Sequence, residues 1–135
     1  MRKPQILSHV ICDEVRREDN GKQLLIGVYS EGMIYSGEIP GHVRICVWIQ
    51  IQYISNAKVT LEVDLSRNGV IGENILTMGI PVPDVPSDRI RSSALITPIA
   101  NVPVEGDETY IFSYRFSKSE KWKTLREFNV EINRN

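Results

Sequence analysis

The stretch Val59-Thr60-Leu61-Glu62-Val63-Asp64-Leu65-Ser66-Arg67-Asn68-Gly69 alternates apolar and polar residues over its first eight positions and ends on Asn-Gly. Period-two alternation places Val59, Leu61, Val63 and Leu65 on one face of a β-strand and Thr60, Glu62, Asp64 and Ser66 on the other. One face is dry and one is wet, the pattern of an antiparallel sheet solvated on one side. Asn-Gly supplies the positive φ that a two-residue type I′ hairpin turn needs at both central positions. A second such dipeptide, Asn20-Gly21, divides another pair of alternating segments. The chain therefore reads as all-β, with a two-residue hairpin turn expected at each Asn-Gly.

The same alternation extends outward in both directions. Across residues 44–54, Ile45, Val47, Ile49, Ile51 and Tyr53 point one way, and Cys46, Trp48, Gln50 and Gln52 the other. A first hairpin joins 6–17 to 22–30, and the Asn68-Gly69 turn returns the chain through 70–78. Further strands fall at 94–101, 108–116 and 122–132, where Tyr110, Phe112, Tyr114 and Phe116 share one face, as do Phe128, Val130 and Ile132. About eight short strands with one-sided apolar faces must cover each other, and two sheets packed face to face do so. The expectation is an immunoglobulin-like antiparallel β-sandwich forming a single domain over residues 1–135, with a partly open barrel as the alternative. Tyr110, at the start of its strand and after Pro103, has the position of a corner tyrosine whose hydroxyl bonds backbone. The antibody-type pattern of two cysteines flanking a core tryptophan is absent, since Trp48 follows both Cys12 and Cys46.

Composition narrows the function classes. The chain has 135 residues, 41% of them hydrophobic and 24% charged, enough to bury roughly two-thirds of its unfolded surface without disulfide or metal staples. Sixteen basic against 17 acidic residues leave a net charge of −1, so no overall field attracts nucleic acid. No apolar run reaches membrane-spanning length, and Ser8, His9 and Asp13-Glu14 interrupt the N-terminal segment where a signal peptide would be apolar. The expectation is a cytoplasmic protein that binds neither nucleic acid nor membrane.

A resemblance enters at the first hairpin. Ile11-Cys12-Asp13-Glu14-Val15-Arg16, then Gly21-Lys22, then Leu25-Ile26-Gly27-Val28-Tyr29, resembles the N-terminal signature of a family of small uncharacterised bacterial proteins of unknown function. Tyr110-Ile111-Phe112 and Phe128-Asn129-Val130 are compatible with it. The resemblance implies a bacterial or phage-borne cytoplasmic sandwich and assigns no catalytic or binding residue.

Motifs for catalysis are missing. His9 and His42 are the only histidines, the side-chain type suited to acid-base work near neutral pH, one inside an expected strand and one in an expected loop. No Gly-x-Ser-x-Gly, phosphate-cradling glycine loop or His-Glu-x-x-His occurs. Asp13-Glu14, Glu18-Asp19, Asp84 with Asp88, and Glu105 with Asp107-Glu108 lie near strand ends where calcium finds oxygen ligands, but arginines interleave and a dedicated ligand spacing is absent. Cys12 and Cys46 are expected as free, buried thiols, and no metal or other cofactor is expected. The face bearing Cys46 and Trp48 either lies under a terminus or loop or forms a binding surface.

The stretch from Gly79 to Arg91 holds three prolines, which remove backbone donors and exclude it from a central strand. It is expected along a sheet edge, protecting that edge or docking a protein through its charges. Asp84, Asp88, Arg89 and Arg91 are thus the candidate partner-binding residues. The leading expectation is a non-enzymatic protein-interaction module that binds another protein or itself. A small-ligand or glycan-binding sandwich using Trp48, and an enzyme built on loop carboxylates, are the alternatives.

Overall fold

The computed structural model describes residues 4–54, 60–67, 74–81 and 90–134, the side chains of Ile54 and of 74–81 excepted. It is all-β. The strands are β1 (Gln5–Arg17), β2 (Gln23–Tyr29), β3 (Gly32–Tyr35), β4 (Gly41–Ile54), β5 (Thr60–Arg67), β6 (Asn74–Pro81), β7 (Ile90–Val104), β8 (Glu108–Arg115) and β9 (Lys123–Ile132). They form two open sheets, a four-stranded one in the order β2-β1-β4-β7 and a five-stranded one in the order β3-β9-β8-β5-β6. Neither closes into a barrel, so the fold class is the two-sheet one expected for a sandwich.

By contacts the chain divides into two compact units, each drawn from three separated segments. The first comprises residues 1–30, 44–59 and 82–101. Its ladder is antiparallel from β2 through β1 to β4, and Tyr53 and Ser93 share a hydroxyl hydrogen bond of 3.0 Å from β4 to β7. Ile45, Val47, Ile49, Ile51 and Tyr53, the apolar row read from the sequence, are all buried, as are Ile11, Leu95 and Ile99.

The second unit comprises residues 31–43, 60–81 and 102–135. Leu61, Val63, Leu65, Tyr110, Phe112, Phe128 and Val130 are buried in it as their alternation requires. Tyr114, Phe116 and Ile132 are half-buried. The Tyr110 hydroxyl reaches the carbonyl oxygen of Pro103 and the Glu108 carboxylate, so the expected corner is present. Burial, followed by the neighbouring Glu108 carboxylate, drives the Tyr110 pKa well above its ordinary value. Arg67 supports this corner through Glu105 at 3.1 Å and Glu108 at 3.5 Å. Glu62, on the face read as wet, is covered: its carboxylate accepts from Arg115 Nε at 2.5 Å, and the Arg115 guanidinium stacks 4.2 Å from the Trp122 ring centroid.

Four local readings change. Asn20-Gly21 is not a two-residue turn: Gly21 N–H donates to Glu18 O at 3.1 Å and Glu18 N–H to Lys22 O at 2.8 Å, enclosing the three-residue loop Asp19-Asn20-Gly21. Gly21 takes φ +84°, the left-handed position that closes such a loop, and Asn20 Oδ1 accepts from Lys22 N–H at 3.2 Å. The sheet is not wholly antiparallel, because β3, a strand the sequence reading omitted, pairs parallel with β9. Four residues beside glycines are too few for periodicity to register. Two strands also start earlier than expected, β4 at Gly41, which places His42 on a strand, and β7 at Ile90. Asn68-Gly69 lies outside the described residues.

Candidate functional site

Of the four expected partner-binding residues, Asp84, Asp88 and Arg89 lie outside the described residues. Arg91 opens β7, half-buried, with its Nε buried and unbonded among the described residues. The ends of the proline stretch are placed: Gly79-Ile80-Pro81 completes β6 and Ile90-Arg91 begins β7. Both are terminal strands in their sheet orders, as prolines on an edge require.

A different edge carries the more informative chemistry. β2, Gln23-Leu24-Leu25-Ile26-Gly27-Val28-Tyr29, has seven residues, no charge and no proline, and is terminal in the four-stranded order. Edge strands leave one row of backbone N–H and C=O groups without a ladder partner, and folded proteins usually blunt them with charge, proline or shortness. β2 uses none of these. At alternate positions it carries Leu24, Ile26 and Val28, of which Leu24 is 48% exposed and Val28 54% exposed. β3, the corresponding edge in the other unit, exposes Ile34 but is only four residues long.

The hairpin that presents β2 has an unusual course. β1 pairs with β4 from Gln5↔Gln52 to Cys12↔Cys46 and then leaves it, while its pairing with β2 continues to Arg17↔Gln23. At the departure point the β1–β2 ladder omits one residue on each side, Asp13 and Gly27, and Gly27 takes φ +70°. Beyond this break the hairpin folds back over the Cys46 and Trp48 face of β4. Two contacts carry it: Trp48 Nε1–H donates to Gln23 Oε1 at 2.6 Å, and Val15 N–H reaches the Cys46 thiol, while within β1 the Cys12 thiol reaches Glu14 O at 3.5 Å. Cys12 and Cys46 are buried in consequence. On this face Cys46 is buried, while Trp48, Gln50 and Gln52 stay half-buried.

Gly27 is needed for more than its φ. A Cβ there would meet the Asp13 carboxylate, with Asp13 Cγ at 2.8 Å. That carboxylate accepts a hydrogen bond from the Tyr29 hydroxyl, and burial together with Asp13 pushes the Tyr29 pKa up to about 12. The end of β2 is thereby tied to the bend in β1.

Several of the remaining sequence candidates are engaged in structural contacts. Asp107 accepts Ile132 N–H at 2.7 Å and pairs with Arg134 at 2.9 Å, and these bonds hold its carboxyl below the usual range. Glu105 and Glu108 face Arg67. His9 is on β1 opposite Ile49, and His42 is exposed at the start of β4. Among the described residues no group of three or more His, Cys, Asp or Glu side chains is placed to hold a metal ion, and no helix is long and apolar enough to cross a membrane.

The sequence matches no protein-family model and no curated protein. The charge-free run at 23–29 was visible in the sequence. That it forms a sheet edge was not, because edge position depends on strand order rather than on periodicity.

Proposed function

We propose that this protein is a non-enzymatic interaction module that takes an extended segment of another protein, or of a second copy, along the β2 edge. The observation that carries the reading is the uncharged seven-residue terminal strand with Leu24 and Val28 exposed on it. An added strand would extend the sheet at this terminal position through main-chain hydrogen bonds, while alternate side chains would give specificity. The resemblance at residues 11–29, which carries a bacterial or phage-borne origin and a cytoplasmic setting as part of this proposal, spans the same hairpin.

The glycan-platform reading receives less support, since Trp48 is half-buried and its indole N–H is given to Gln23. The test is affinity capture with the wild-type chain and with Leu24→Lys and Val28→Lys. Charge on the edge should abolish capture or self-association while thermal melts stay within a few degrees of wild type. Unimpaired capture by both well-folded variants would remove β2 as the contact.

A further inference from the structure

We propose that Cys12 and Cys46 form a reversible intramolecular disulfide, a redox modification site at the fork where β1 parts from β4. The two residues are the only cysteines in the chain and are direct register partners, the last pair of the β1–β4 ladder. Antiparallel partners have Cα atoms about 4.5–5.5 Å apart, inside the roughly 4.4–6.8 Å span that disulfides bridge. Both thiols are free and buried, and the Cys12 thiol reaches the Cys46 carbonyl at 3.7 Å. Direct neighbours on adjacent strands project from the same face, so closing the bond needs side-chain rotation rather than a register change.

The position in the ladder matters as much as the proximity. An interior rung is held on both sides, whereas this pair has the Asp13 and Gly27 break immediately beyond it. The segment past the break covers the thiols and can lift without disturbing the pairing from Gln5 to Cys12. Burial raises both thiol pKa values, so at neutral pH the closed hairpin keeps them protonated and slow to react. Opening of the hairpin therefore gates the reaction.

With hydrogen peroxide as oxidant, one thiol loses its proton and the thiolate attacks a peroxide oxygen; the O–O bond breaks, leaving a sulfenic acid and a hydroxide that departs as water with that proton. The second thiol then displaces hydroxide from that sulfur, which leaves as a second water with the thiol proton. Two electrons pass from the sulfurs to the peroxide, and one S–S bond replaces two S–H bonds. A dithiol reductant reverses the change. In a reducing compartment such a bond is transient and reports exposure to oxidant.

The experiment exposes the folded wild-type protein to hydrogen peroxide, blocks remaining thiols with a maleimide, and measures intact mass with and without dithiothreitol. The expected product is a monomer lacking two hydrogens, with no maleimide added and a linked peptide containing both cysteines. Closing this loop should raise the melting temperature by up to roughly 10 °C. Trp48→Phe, which removes the bond to Gln23, should speed the oxidation severalfold. Cys12→Ser and Cys46→Ser should each abolish the linked product; if either fails to fold, the wild-type peptide map decides alone. Sulfinic or sulfonic acids at separate cysteines, intermolecular dimers, or a crosslink formed only in denaturant would overturn the proposal.

Discussion

Truncating Phe112 to alanine removes a side chain with no exposed surface from β8, the middle strand of the five-stranded sheet. Its register partners are Leu65 on β5, itself fully buried, and Arg126 on β9. The loss combines the transfer free energy of the ring with an unfilled cavity, about 3–5 kcal/mol for a buried phenylalanine. A chain of 135 residues unfolds with an entropy of about 0.28 kcal/mol/K near its midpoint, so the melting temperature should fall by about 10–18 °C. Ile34→Ala, at a position 71% exposed on β3, should change it by less than about 2 °C. Differential scanning calorimetry on both variants measures the contrast. A fall of less than about 4 °C for Phe112→Ala would mean that this face of β8 is not the buried one, and the register of the sheet would have to be reassigned.

Tyr110→Phe removes the hydroxyl that faces Pro103 O and Glu108; leaving those acceptors without it should cost about 1–3 kcal/mol in urea unfolding. Gly27→Ala should destabilise more than Gly21→Ala: both positions have positive φ, but an added Cβ meets Asp13 at Gly27 and nothing within 4 Å at Gly21. In Gly27→Ala the displaced Asp13 should release Tyr29, whose titration, followed by ultraviolet absorbance, should move from about 12 towards the ordinary tyrosine value. Both tyrosines have raised pKa values when folded, so their contribution is fully present below about pH 10, where unfolded tyrosine titrates. It is lost for Tyr29 as pH rises from there through about 12. Thermal melts should show that decline, and Tyr29→Phe should reduce it.

Legibility in the sequence followed how local each cause was. The burial of Ile45 through Tyr53 and of Leu61 through Leu65 was readable because alternate residues of one strand suffice to define a face. The Tyr110 corner was readable for the same reason, since Pro103 and Glu108 lie within seven positions. Asn20-Gly21 marked a turn correctly, but the dipeptide alone does not distinguish a two-residue turn from a three-residue loop closed by glycine, and Gly21 serves both. Glu62 was read as solvated because its cover comes from Arg115 and Trp122, more than fifty positions away. The folded-back hairpin was out of reach on the same grounds: it depends on one ladder break at Asp13 and Gly27 and on a bond from Gln23 to Trp48. The β2 edge needed the strand order, which no window of sequence contains.

The central claim, recognition along the β2 edge, is tested most directly by placing a photo-reactive phenylalanine analogue at Val28 in cells and, separately, at Trp122, which is 38% exposed in the other unit. Irradiation should give a discrete adduct from the Val28 site and none from the Trp122 site, and Leu24→Lys in the same chain should eliminate it. Equal labelling from both sites, or no adduct from Val28 in a folded, expressed protein, would contradict the account.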